Sequence, residues 1–216
     1  MKDINSLVVK LVNELIAELR SQLRHDNAYD LLWEMGEAAI APLLVTLCDD
    51  EEENQVRESC AQLMGHVIPA GVNQLLKLLR EAQGDQADLA AWGLRYNHAP
   101  ELIEPQLFTS LQDSSPTIRA NAARALRYIH IDLQAFDSRL LEALQDEYIE
   151  VRLDVLRILI QLVEVGLEQY GICNVTALAA AVSTRMNSSS VNSEEYHLSN
   201  TVLSCLASEN PHLADA

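Results

Sequence analysis

The chain has 216 residues, 49% of them apolar and 5% aromatic, with seven glycines and six prolines; Leu and Ala dominate the apolar set and favour helices, whereas sheets draw on β-branched and aromatic side chains. Fifteen Lys and Arg against thirty-two Asp and Glu give a formal net charge of −17. This charge argues against nucleic acid and membrane as partners and speeds encounter with a basic protein.

No uninterrupted apolar run comes near the roughly 18 residues of a membrane span, and Met1 to Asn5 does not open a secretory leader. The four cysteines, at 48, 60, 173 and 205, form no CxxC pair, so reduced thiols in a cytoplasmic protein are expected. The first expected helix covers residues 3–23, with Ile4, Leu7, Val8, Leu11, Leu15, Ile16 and Leu19 in one wide apolar stripe. Residues 1–25 read as a terminal unit that closes one end of a core, or alternatively as a dimerisation helix. Residues 26–35 form the next helix, stopped by Gly36. Residues 37–48 return, with Pro42 in the first turn and Leu43, Leu44 and Leu47 facing inward. Further hairpins follow at 55–67 with 72–81, at 86–95 with 101–112, and at 117–129 with 136–145. Ser114-Ser115-Pro116 is a helix start signal for the third of these. Residues 148–168 begin the last clear copy. The repeats thus occupy residues 26–170. Residues 171–216 read as a degenerate repeat with a helix at 174–186, a polar loop at 187–193, a capping helix at 194–208 and a loose tail, all in one continuous domain.

One short pattern recurs through these hairpins: a leucine, about eight residues, an Arg or Ala, then apolar residues four and seven further on. Leu111, Arg119, Ala123 and Leu126 form one copy; Leu144, Arg152, Leu156 and Leu159 the next. Leu79, Ala87, Ala91 and Leu94 form an earlier copy, and Leu47, Arg57, Ala61 and Met64 another with a longer connection. Ala28, Leu32 and Met35 are a degenerate first copy. Anchors at 28, 57, 87, 119 and 152 are 29, 30, 32 and 33 apart, which signals a stacked array of small helical units.

Residues 105–113, then Ile118-Arg119 and 122–126, resemble a HEAT repeat, and residues 138–146 with Val151-Arg152 resemble it again. Residues 35–44 resemble the inter-helix turn of the short HEAT variety of phycobilisome lyase-like proteins, which the short period also fits. The resemblance covers about residues 26–165. It implies an all-α fold, a right-handed α-solenoid of HEAT-like helical hairpins with about twelve helices. It also implies a ladder. Asp113 and Arg119 are six residues apart, as are Asp146 and Arg152, and stacked copies would set each arginine near a neighbouring aspartate. Arg57 holds the same place, while Ala87 and Ala28 replace it, so a looser or bent third copy is expected. In HEAT-like arrays the second helix of each pair lines the concave surface. Carried over, one outward row is Pro42, Gln74, Gln106 and Arg139, and the next is Val45, Lys77, Thr109 and Glu142.

Chemical motifs are scarce. HExxH, GxSxG, a P-loop and GxGxxG are all missing. His66, His98 and His130 recur at intervals of 32, but equivalent positions on packed helices lie on the order of 10 Å apart, too far for shared metal ligation. Some HEAT-like enzymes, hydroxylases of a modified lysine among them, hold iron through His-Glu pairs; this chain has no His-Glu dipeptide. The run 49–53 lacks the spaced ligands of a calcium loop and reads as a solvated insertion. Cys48, Cys60, Trp33 and Trp92 read as core. No catalytic residue, metal or cofactor is assigned. The expected role is a non-catalytic adaptor, scaffold or inhibitor, for example an immunity protein against a toxin, gripping a basic protein through Gln74, Lys77, Gln106, Thr109, Arg139 and Glu142. The alternative is a subunit of a bilin lyase-like enzyme acting on a phycobiliprotein.

Overall fold

The computed structural model describes residues 2–21, 23–129, 139–165 and 175–209. Among them lie twelve α-helices and no strand. These are α1 (Lys2–Glu18), α2 (His25–Met35), α3 (Ile40–Leu47), α4 (Asn54–His66), α5 (Ala70–Glu81), α6 (Asp85–Leu94), α7 (Pro100–Ser110), α8 (Pro116–Tyr128), α9 (Arg139–Ala143), α10 (Ile149–Val165), α11 (Val175–Ser188) and α12 (Glu194–Glu209). A short 3-10 turn, Gly36–Ala39, precedes α3. The protein is an all-α solenoid of helical hairpins. It divides into two compact units, Met1–Pro105 and Gln106–Ala216.

The recurring apolar positions explain the packing. In the first unit Leu32, Leu47, Ala61, Met64, Ala87, Ala91 and Leu94 are buried; in the second Ala123, Leu126, Leu144, Leu156 and Leu159 are buried. Each large side chain so covered contributes about 1.5–3 kcal/mol. They sit on one face of each helix, so consecutive first helices lie side by side. Helix α4 packs against α2 and α6 in the first unit, and α10 against α8 and α12 in the second.

Two glycines set the closest approach. A Cβ on Gly65 of α4 would fall 2.0 Å from the Gly93 carbonyl oxygen, and one on Gly93 of α6 would fall 2.5 Å from that of Ala61. The two helices therefore meet backbone to backbone. In the third copy, where Ala87 stands in place of arginine, Ala87, Ala90 and Ala91 are fully covered.

Three expectations are corrected. Helix α1 stops at Glu18, and of the seven expected stripe residues Leu15, Ile16 and Leu19 are buried, whereas Ile4, Leu7 and Leu11 are exposed; Val12, outside that stripe, is buried too. Pro42 is buried and leaves the outward row; the 3-10 turn before α3 winds three residues per turn rather than 3.6, which rotates the face that α3 presents. Trp33 is 49% exposed and is no core residue.

Candidate interaction site

The turns that join one hairpin to the next are built around arginine. A residue in the first turn of a helix stands close to the chain it has just left, so a long guanidinium can reach back to the carbonyls that no helix satisfies. Arg119 does this with the carbonyls of Asp113 (2.9 Å) and Ser114 (3.2 Å). Arg152 does it with those of Asp146 (2.7 Å) and Glu147 (3.0 Å), and Arg57, 3% exposed, with that of Leu47 (3.0 Å), the last residue of α3.

The remaining N–H groups reach a carboxylate. Arg119 grips Asp146 with two bonds, 2.6 and 3.0 Å. Arg152 grips Glu195 of α12, at 2.5 and 3.2 Å, and Arg57 meets Asp50 of its own turn at 3.1 Å. Within its own turn Asp113 accepts from the Ser115 N–H at 2.9 Å. In the third copy Gln86, next to Ala87, donates to the Cys48 carbonyl at 3.2 Å. Burial works to raise the Asp146 and Glu195 pKa values. The hydrogen bonds from Arg119 and the Tyr148 N–H to Asp146, and from Arg152 and Ser189 to Glu195, outweigh it and hold both below the usual carboxylate range.

Sequence reasoning missed Glu195, which lies 43 residues from Arg152 rather than one period away. It also missed the Arg20–Glu52 pair and buried Asp154, which meets Arg127 at 2.8 Å and Arg157 at 2.9 Å. The run 49–53 is accordingly more than a solvated insertion: the Glu52 side chain is 8% exposed beneath Arg20.

The outward second-helix residues fall in both units. Lys77 is exposed and Gln74 half-buried on α5. Gln106, Thr109, Arg139 and Glu142 are exposed in the second unit, where the Arg139 guanidinium lies 5.2 Å from the centre of the Phe108 ring. These faces are polar. An apolar groove of about 390 Å³ lies instead between α11 and α12, lined by Thr176, Ala180, Ser183 and Leu203 among others, with no charged group.

The first unit holds a row of flat rings at the C-terminal ends of its first helices. Trp33 of α2 stacks on His66 of α4, centroids 4.2 Å apart and planes 21° apart. His66 continues to His98 at 5.5 Å and Tyr96 at 5.7 Å, and Tyr96 meets Trp92 edge-on at 5.5 Å. Tyr29 stands edge-on to Trp33 at 6.3 Å. The two histidines thus come nearer than the order of 10 Å expected. They are not equivalent: His66 ends α4, whereas His98 lies in the turn beyond α6, and the Gly65–Gly93 contact draws those ends together. His130 lies outside the described residues. Burial, then the neighbouring His98, pushes the His66 pKa down. Among the described residues no three His, Cys, Asp or Glu side chains converge as metal ligands. Of the cysteines, Cys60 is buried and its thiol is pushed up to about 12 by that burial, so it is no nucleophile; Cys173 lies outside the described residues.

Residues 103–130, which span most of α7 and all of α8, match the family model described as HEAT repeat. A deoxyhypusine hydroxylase of Phaeosphaeria nodorum is 28% identical over 114 residues, 48% of this chain. The chain spans about a third of that relative's length, 35%. Among solved structures, an engineered protein covers 91% of this chain and 96% of its own at 18% identity and TM-score 0.49. A designed armadillo repeat protein in complex with the peptide (KR)4 covers 92% and 99% at 20% identity and TM-score 0.47.

Proposed function

We propose that this chain is a non-catalytic protein-interaction module, an adaptor, scaffold or immunity-type inhibitor, that binds a basic polypeptide in the cytoplasm. The observation that supports this reading is how charge is used. Among the described residues at least ten of the fifteen basic side chains are engaged with carboxylates of the chain: Lys10, Arg20, Arg24, Arg57, Arg119, Arg124, Arg127, Arg152, Arg157 and Arg185. Cations held in these pairs are not free to neutralise the remaining acids, so the excess of acid, −17 in all, attracts a cationic partner. The second-helix residues Gln74, Lys77, Gln106, Thr109, Arg139 and Glu142 are the proposed contacts, polar groups suited to an extended backbone and its side chains.

A synthetic octapeptide of alternating Lys and Arg tests the reading by fluorescence anisotropy. Binding at low ionic strength that weakens steadily with salt is expected. Glu142→Lys should lower affinity about two- to fivefold, the scale of an exposed charge contact. No binding at low salt overturns the reading, and an unchanged affinity for Glu142→Lys removes the second-helix rows from it.

The phycobilisome lyase-like subtype is the alternative, and the short period of 29 to 33 residues is what favours it. Visible absorbance on co-expression with a bilin and a phycobiliprotein, with no peptide binding, would replace the adaptor reading.

A further inference from the structure

Two tryptophans in the row of rings stand in unlike surroundings. Trp33 and Trp92 occupy equivalent places, each five residues after its copy's anchor, Ala28 and Ala87. In the third copy the indole has a cation of its own: the Arg95 guanidinium, three residues on, lies 5.1 Å from the centre of the Trp92 ring. In the first copy the residue three on is Gly36, which has no side chain and takes a φ of +54° to end the helix. Trp33 therefore has one face against His66 and 49% of its surface exposed. Exposed acids surround it in sequence on the same helix end: Asp30 one turn before, Glu34 beside it and Glu37 in the following turn.

We propose that the outer face of Trp33, carried on the His66–His98 stack and flanked by Asp30, Glu34 and Glu37, receives an arginine side chain of a basic protein partner. This deepens the adaptor reading and rests on it. An indole is the strongest of the aromatic acceptors for a cation, and a planar guanidinium stacks on it where an ammonium does not. The rings behind Trp33 hold it in one orientation, which lowers the ordering cost of the contact. Charge complementarity points to the same occupant: residues 1–105 carry eighteen Asp and Glu against eight Lys and Arg. The contact repeats between molecules the Arg95–Trp92 pair that the third copy makes within itself.

The test uses the full chain and two octapeptides, one with four arginines and one with four lysines in the same positions. The arginine peptide should bind more tightly, and Trp33→Ala should weaken it about three- to tenfold while leaving the thermal midpoint near that of the parent. Because the chain has two tryptophans, Trp92→Phe leaves Trp33 as the only indole; its emission should then change on titration and saturate at the affinity measured by anisotropy. This second readout holds whether or not Trp33→Ala folds. Binding of the peptide with no change in Trp33 emission, or equal binding of both peptides, overturns the inference and leaves the adaptor reading standing. Failure of both peptides to bind at low salt overturns the inference and the adaptor reading together.

Discussion

Arg119 and Arg24 both sit in ion pairs, yet their surroundings give them different weights. Arg119 is 11% and Asp146 9% exposed, joined by two bonds, and the same guanidinium satisfies two backbone carbonyls. Removing it leaves the covered Asp146 carboxylate without its cation, though still accepting from the Tyr148 N–H, and takes the donor from two carbonyls; the cost of under-satisfied covered groups governs the outcome. Arg119→Ala should therefore destabilise the protein by about 2–4 kcal/mol in urea denaturation. Arg24, 65% exposed against a Glu18 that is 39% exposed, should cost less than about 1 kcal/mol on the same substitution. Equal losses would mean that the ladder contributes nothing beyond surface charge. Such a pair is half legible in sequence. The six-residue spacing of Asp113 and Arg119 marks the turn, because reach back to the preceding carbonyls depends only on local chain geometry. The distant acceptor is legible only where the period is kept, as for Asp146. Glu195 stands beyond an interrupted copy, so no spacing announces it.

At the scale of elements, helix existence follows from apolar spacing and from stop and start residues such as Gly36 and Ser115-Pro116, which act locally. Packing angle and exposure depend on partners, which is why α1, Pro42 and Trp33 departed from their expected burial. The ring row needs three copies folded together, and no single copy announces it. Close contact between α4 and α6 has its own consequence. Gly65→Ala puts a methyl group onto the Gly93 carbonyl, a backbone atom that cannot swing aside. The helices must separate, and a loss of about 1–3 kcal/mol or more is expected in chemical denaturation. Gly84→Ala, with nothing within 4 Å but a φ of +59°, should cost about 1–2 kcal/mol through the backbone alone. Only Gly65→Ala should also move the near-ultraviolet signal of the ring row; if both do, or neither, the backbone contact is not what holds those rings.

For the molecule as a whole, acid should act in two stages. Burial and His98 depress the His66 pKa below its ordinary 6.5, and the rings facing it are Trp33 from α2 and Tyr96 and His98 from beyond α6. Between 6.5 and the depressed value the unfolded chain holds more protons than the folded one, so stability is full above 6.5 and falls as pH drops through that window. The carboxylates of Glu52, Asp146 and Glu195 are held below their ordinary 4.5, 3.8 and 4.5. Their contribution is present above those values and is lost as pH falls through the folded-state ones. Urea midpoints between pH 8 and 3 should show both declines, and His66→Gln should flatten the first alone; a profile without the upper step would remove His66 as its source.

The forward reach of Arg119 to Asp146 and of Arg152 to Glu195 constrains how a chain like this can lengthen or shorten over generations. In this stretch the copies of Arg119 and Arg152 each bring a donor for their successor, and Asp146 and Glu195 supply the acceptors. A duplication or deletion cut at matching points leaves every donor with an acceptor, whereas a cut elsewhere strands one of them. Growth by whole steps is thus written into the joints.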